Sequence, residues 1–246
     1  MASSKVLIVT GASRGIGAAI ARQAGREGYA VAVNYVRDRE AALKVCEDIR
    51  AWGSRALPVQ ADVSREAEVV RLFETADAEL GPLSALVNNA ATTGRRCLIE
   101  DVDEETLHRV LALNVAGYFL CAREALKRLS TQRGGQGGVV VNVSSVAALL
   151  GNAFDWVHYG ASKGAIDTFT RGLALEGAPH GVRCNAVRPG MVRTEINPED
   201  RIASIAPTIP LGRVAEAPEI AEAVLWLLSD KASYCTGTIM NVSGGR

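Results

Sequence analysis

The stretch Thr10-Gly11-Ala12-Ser13-Arg14-Gly15-Ile16-Gly17 decides how this chain folds. It leaves a short apolar run, Lys5–Thr10, and opens a segment, Gly15–Glu27, whose apolar residues recur every three and four positions. Glycines at 11, 15 and 17 let the backbone turn sharply and approach a ligand closely. The N–H groups that begin the following helix would meet that ligand with partial positive charge. The spacing is G-x-x-x-G-x-G rather than the commoner G-x-G-x-x-G. Turn glycines alone could account for the triplet, but a strand before it and an amphipathic helix after it point to a nucleotide pyrophosphate.

Outward from this loop the same alternation continues to the end of the chain. Strands are expected at Lys5–Thr10, Ala30–Tyr35, Arg55–Gln60, Ala85–Asn88, Gly138–Ser144, Val182–Arg188 and Thr238–Val242. Helices are expected at Gly15–Glu27, Glu40–Trp52, Glu66–Leu80, Glu104–Leu129, Lys163–Glu176 and Pro218–Leu228. The pattern predicts an α/β chain: a single-domain Rossmann fold with a doubly wound, seven-stranded parallel sheet and helices on both faces. No repeat or composition break divides residues 1–246. Gly134-Gly135-Gln136-Gly137-Gly138 reads as a flexible stop before the fifth strand. Five of the eight prolines fall in Pro189–Pro218, just beyond a strand end, so residues 190–217 are expected to be a substrate lid rather than an inert excursion.

The 246 residues are 48% hydrophobic and carry no formal net charge, which gives no basic footprint for nucleic acid and no attraction to an anionic membrane. No apolar stretch nears the roughly 20 residues that span a bilayer, and the N-terminal Met1–Lys5 precedes too short a run for a signal core. The five scattered cysteines include no CxxC pair, and the three histidines show no ligand spacing with them. These features predict a cytoplasmic protein with reduced thiols and no metal.

The form of the nucleotide is read after the second strand. A carboxylate there would bond an unmodified ribose; this chain has Asn34-Tyr35-Val36-Arg37 instead, with Arg14 in the glycine loop. An arginine fork suits a 2′-phosphate, so NADP is expected over NAD, with NAD still usable. Asp62 and Val63 fall where an adenine would lie, although Asp62 could equally cap the helix before Glu66.

Tyr159-Gly160-Ala161-Ser162-Lys163 places a tyrosine and a lysine four residues apart on one helix face. A nearby ammonium favours a phenolate, so the pair is a tunable acid/base of the kind that carbonyl chemistry needs. Ser144 and Ser145 end the fifth strand, and Asn114 sits among apolar residues as either a structural amide or part of a water relay.

With these motifs in order, the chain resembles the short-chain dehydrogenase/reductase family along nearly its whole length. Thr10–Gly17, Asn88-Asn89-Ala90, Asn114, Ser144-Ser145, Tyr159–Lys163, Arg188-Pro189-Gly190 and Tyr234–Gly245 carry the resemblance. Within the family it is most similar to 3-oxoacyl-acyl-carrier-protein reductases and glucose 1-dehydrogenase-like oxidoreductases. The resemblance implies that Tyr159 is the acid/base, Ser145 bonds the substrate oxygen, Lys163 holds the nicotinamide ribose and lowers the Tyr159 pKa, and Asn114 positions a water. It further implies that Gly11, Ser13, Arg14, Gly15, Ile16, Gly17, Asn34, Arg37, Asp62, Val63, Asn88, Ala90, Pro189, Gly190, Val192 and Thr194 line the cofactor. A homotetramer is the family expectation. Ala91 replaces a usual glycine and Ser243 a usual aspartate. Ser145 precedes Tyr159 by fourteen residues, one more than the commonest spacing, which keeps Ser144 open.

Substrate contacts are expected from Thr92–Leu98, Ala147–His158 and the lid. Phe154 and Trp156 could form an apolar wall or pack the lid. Arg95-Arg96 reads as a solvated pair before an anion site, and His158 diverges from Tyr159 as an adjacent helix position. The function expected is exchange of a hydride and a proton with a small carbonyl or alcohol. The rival is a sensor that binds NADP without turning it over.

Overall fold

Alternate residues of β1 (Val6–Val9) face opposite sides of a sheet, and all four are buried, so this strand is covered on both faces. The structure, a computed structural model, describes residues 5–195, 197 and 199–246; Met1–Ser4, Ile196 and Pro198 lie outside the described residues. After β1 come α1 (Gly15–Arg26), β2 (Ala30–Tyr35), α2 (Arg39–Ala51), β3 (Ala56–Gln60), α3 (Glu66–Leu80) and β4 (Leu83–Asn88). The chain continues through α4 (Glu104–Leu111), α5 (Gly117–Leu129), β5 (Gly138–Val143), α6 (Ala147–Leu150), α7 (Val157–Gly177) and β6 (Val182–Pro189). It closes with β7 (Val192–Arg193), α8 (Glu199–Ile205), β8 (Ala215–Glu216), α9 (Ala217–Leu228) and β9 (Ile239–Val242).

Seven strands pair in parallel in the order β3-β2-β1-β4-β5-β6-β9, the doubly wound sheet that the alternation predicts. Leu7, Val9, Val31 and Val33 pack under α1, α2 and α9 against Ile20, Val45, Ile49 and Val224. On the other face Ile8, Ala32 and Leu86 meet Leu72 and Phe73 of α3, Cys121 of α5 and Leu173 of α7. Each large side chain buried in this way contributes about 1.5–3 kcal/mol. The order in which successive strands are laid down reverses between β1 and β4, and the crevice beyond their carboxyl ends is where such sheets take ligands.

Three sequence expectations change. The helix expected over Glu104–Leu129 is interrupted by a π turn at Ala112–Ala116, which accommodates an extra residue at Asn114 without disturbing the apolar period on either side. The glycines before β5 form no flexible stop: Gly135 and Gly137 donate to Ser130 O and Leu129 O at 3.0 and 2.8 Å, and Gly138 donates to Gly181 O at 3.0 Å. The helix that carries Tyr159 already begins at Val157.

Candidate active site

At the end of β1 the glycine loop is held from below. Thr10 Oγ1 accepts from the Asn89 and Ala90 amides at 2.9 and 3.0 Å, and Asn89 Nδ2 donates to Thr10 O and Gly11 O at 2.9 and 3.1 Å. Gly11 has φ +61°, and a Cβ at Gly17 would stand 2.4 Å from Gly11 O and 2.5 Å from Asn89 Nδ2. No side chain caps the start of α1 and no acidic residue occupies its first turn, so its leading N–H groups face the loop unclaimed. By contrast Asp38 and Asp103 cap α2 and α4 with their own carboxylates. A cradle closed to side chains, with a positive helix end beneath it, fits a nucleotide diphosphate. Ser13, Gly15 and Ile16 lie in this loop, half-buried.

Asn34 is not free to meet a cofactor through its side chain. Its Oδ1 accepts from Gly11 N at 3.1 Å and its Nδ2 donates to Ala61 O at 2.9 Å, so it holds the loop from the second strand. Arg14 and Arg37 are exposed and make no ion pair or side-chain hydrogen bond among the described residues. Asp62 caps a turn rather than α3: its Oδ1 accepts from Ser64 N and Oγ at 3.0 and 2.7 Å, while Arg65 occupies the N-cap. Val63 is buried against Gly117. Asn88 donates to Asn142 Oδ1 at 3.0 Å beneath Ala90, and its own Oδ1 is buried without a partner.

Beyond β5 the two serines separate. Ser144 Oγ is buried and donates to Asp167 Oδ1 at 2.7 Å. Ser145 Oγ accepts from Ala147 N at 3.1 Å and stands beside Tyr159, where it draws the tyrosine's pKa down. Burial outweighs that effect and raises the Tyr159 pKa above its ordinary value. Lys163 Nζ donates to Val143 O at 2.7 Å and to Tyr118 Oη at 3.2 Å, and stands 5.7 Å from the Tyr159 ring centroid. Asn114 accepts from Thr92 N and donates to Thr92 O, both at 2.8 Å, and donates to Ser162 Oγ at 3.0 Å. Both amide protons are thus engaged in tying the loop after β4 to α7.

Lys163 is 1% exposed, and burial pulls its pKa to about 7 while Asp167 pushes the other way. The unfolded chain therefore binds the proton more tightly from about pH 7 to the free-lysine value, and this group makes the fold gain stability as pH rises through that window. Between pH 7 and 8.5 the wild-type melting temperature should rise relative to that of Lys163→Met, by the equivalent of about 1.4 kcal/mol per pH unit. Parallel melting curves for the two proteins would contradict a depressed lysine.

Pro189 ends β6 and Gly190 follows it, held by two backbone bonds, Val146 N to Pro189 O at 3.1 Å and Gly190 N to Val242 O at 2.9 Å. Val192 is buried, and the Thr194 methyl lies 3.5 Å from the Cβ position of Gly15, so the segment after β6 reaches over the glycine loop. Next to it, Asp155 accepts from Arg96 Nε at 2.6 Å and from Arg201 Nη1 at 2.8 Å, joining the loop after β4 to α8. The Trp156 ring lies 4.5 Å from the Arg201 guanidinium carbon and 5.9 Å from that of Arg96. Trp156 therefore packs against α8, whereas Phe154, 82% exposed, forms no wall. Arg95 pairs with Asp103 at 3.2 Å, so neither arginine of the loop is the merely solvated cation that its sequence suggests. His158 is buried with Nε2 2.9 Å from Thr93 O. Asp167, missed by sequence reasoning, accepts from Arg188 Nε and Nη2 at 2.9 and 2.7 Å beneath the site.

A doubly wound parallel sheet, a glycine loop closed to side chains, and Ser145, Tyr159 and Lys163 thus come together at one crevice. A family model described as enoyl-(acyl carrier protein) reductase matches residues 11–246. The chain is 48% identical over 245 residues to the uncharacterized oxidoreductase YgfF of Escherichia coli (strain K12), covering 98% of this chain and 99% of that one. It is 38% identical to glucose 1-dehydrogenase 2 of Bacillus subtilis (strain 168), covering 99% and 95%. A crystal structure of a short-chain type dehydrogenase/reductase from Mycobacterium marinum superposes with TM-score 0.93 at 34% identity, covering 99% of this chain and 95% of that one. The chain belongs to the short-chain dehydrogenase/reductase family, whose members bind an NAD(P) nucleotide. No helix among the described residues is long and apolar enough to cross a membrane, and no group of three or more His, Cys, Asp or Glu residues among them could hold a metal.

Proposed function

We propose that this protein is an NADP-preferring oxidoreductase that interconverts a small carbonyl compound and its secondary alcohol, with Tyr159 as the acid/base. The observation that carries the reading is the meeting of Ser145, Tyr159 and Lys163 beside the cradle of Gly11–Gly17. When bound, the nicotinamide supplies or accepts the hydride. Tyr159 supplies the proton to the substrate oxygen, and Ser145 donates a hydrogen bond to that oxygen. Burial keeps the proton on Tyr159 at rest, which suits reduction at neutral pH and moves alcohol oxidation toward alkaline pH. Lys163 holds the nicotinamide ribose hydroxyls, and Asn114 fixes the loop at Thr92 that borders the substrate.

Residues 190–217 act as the lid of a single catalytic domain, clasped through Asp155, Arg96 and Arg201. Because Asp103 and Asp155 neutralise Arg95 and Arg96, an uncharged ketone, aldose or cyclic alcohol suits this loop better than an anionic one. The name of one relative, glucose 1-dehydrogenase 2, supports an uncharged alcohol donor over a 3-oxoacyl thioester. The half-exposed apolar residues of the edge strand β9 support a homotetramer, and the absence of a membrane-spanning helix among the described residues is compatible with a cytoplasmic protein.

A screen of β-ketoacyl thioesters, aldoses and small cyclic ketones and alcohols, following NADPH oxidation and NADP reduction, tests the reading; tight NADPH binding with no turnover anywhere would overturn it. On the best substrate kcat/KM should be higher with NADPH than with NADH. Replacing Arg14 and Arg37 together by alanine should reduce that preference about tenfold or more, the loss of a charge-assisted bond to phosphate. Equal use of both cofactors by the wild type would sink the phosphate argument.

A further inference from the structure

Tyr118 is 1% exposed and lies four residues after Asn114, one helical turn further along the same rod. The two side chains grip consecutive residues of α7: Asn114 bonds Ser162 Oγ, and Tyr118 Oη takes Lys163 Nζ at 3.2 Å. The phenol has one proton, and it goes to Val143 O at 2.9 Å, so its oxygen meets the lysine as an acceptor. Lys163 Nζ also donates to Val143 O at 2.7 Å and stands 5.0 Å from the Tyr118 ring centroid and 5.7 Å from that of Tyr159. Two of its three N–H bonds are therefore fixed by α5 and β5, and the third remains for the site. A phenylalanine would fill the same volume without a buried hydroxyl to satisfy, so packing alone does not call for a tyrosine here.

We propose that Tyr118 is a positioning residue for the reaction: its hydroxyl holds the Lys163 ammonium in register with Tyr159. The inference rests on the assignment of Tyr159 and Lys163 made above. Burial keeps Tyr118 itself protonated, its pKa raised well above the ordinary tyrosine value, so it does not compete with Tyr159 as a base. The other groups facing the lysine are Tyr159 and Asp167 on its own helix, with Asp167 bound to Arg188 of β6 and to Ser144 just beyond β5. Because an accepting hydroxyl favours the ammonium over the amine, removing it lowers the Lys163 pKa. Fewer ammonium groups at neutral pH then leave the Tyr159 phenolate less supported.

Tyr118→Phe tests this with the protein alone and with turnover. In melting curves taken every half unit from pH 5.5 to 8.5, wild-type stability should level off near pH 7 on the acid side, and the variant's levelling point should fall by about one pH unit. With the best substrate of the screen, kcat at pH 7 should drop about tenfold, while the NADPH dissociation constant from fluorescence titration stays within about threefold. The acid limb of alcohol oxidation should move to higher pH by about half to one unit. Melting curves of the same shape as wild type overturn the contact; a shifted levelling point with unchanged kcat and limb overturns the positioning role. A uniform loss of kcat at every pH with an unshifted limb marks a merely structural tyrosine and also overturns it. Tyr159→Phe measured alongside separates the two readings. If that variant keeps its turnover, the acid/base assignment fails, while the melting curves still decide whether Tyr118 holds the lysine.

Discussion

Tyr159→Phe should lower kcat by about a thousandfold on any accepted carbonyl, with NADPH affinity nearly unchanged and the melting temperature the same or higher. The substitution removes one hydroxyl from a half-buried ring and leaves the ring in place. Proton transfer by a positioned side chain accelerates such reactions by about 10²–10⁴, and the polar groups around Tyr159 are already engaged in other hydrogen bonds. Lys163 is held on Val143 O and Tyr118, Ser144 on Asp167, and His158 on Thr93 O. Pre-steady-state mixing with NADPH separates chemistry from release; a variant retaining more than about a tenth of the wild-type single-turnover rate would remove Tyr159 from the proton path.

The largest effect on stability should come from Asp167→Ala. Asp167 is buried, and its carboxylate joins Ser144, just beyond β5, to Arg188 of β6, whose Nη1 reaches Asn241 of β9 at 3.3 Å. Removing one member of a buried ion pair leaves the other charge uncompensated and costs about 3–5 kcal/mol. In a chain of this size that lowers the melting temperature by about 10 °C. Asp167→Asn, which retains a hydrogen-bonding oxygen for Ser144, should lose less. A melting temperature within about 2 °C of wild type for the alanine variant would show that the pair contributes nothing net.

The contrast between Asp167 and Tyr159 shows what the sequence discloses. Strands such as Val6–Val9 are apolar on both faces, and the glycine loop interrupts strand and helix at one place, so layer order and crevice were legible. The π turn at Asn114 was not, because the apolar residues on either side keep a helical period through it. Asn34 and Ser144 stand beside the site in sequence, yet their polar atoms are engaged by backbone and by Asp167; only tertiary contact distinguishes a prop from a ligand. Asp167 could have been found. It follows Tyr159 and Lys163 by further steps of four, which continues one polar stripe along an otherwise buried helix face. The Asp155 clasp joins residues some 46 and 59 positions away in sequence, and no local pattern announces such a partner.

The pairing of β6 with β9 has a consequence for biosynthesis. Ala186–Pro189 find their outer partners only in Ile239–Val242, which follow every other strand in the chain. While the ribosome is still making α9, the outer side of β6 is an unpaired parallel edge, a template for association with other nascent chains. Gly190, whose amide is held by Val242 O, is likewise unanchored until then. This end of the crevice therefore cannot take its final form before β9 has docked, whatever part of the sheet is already in place.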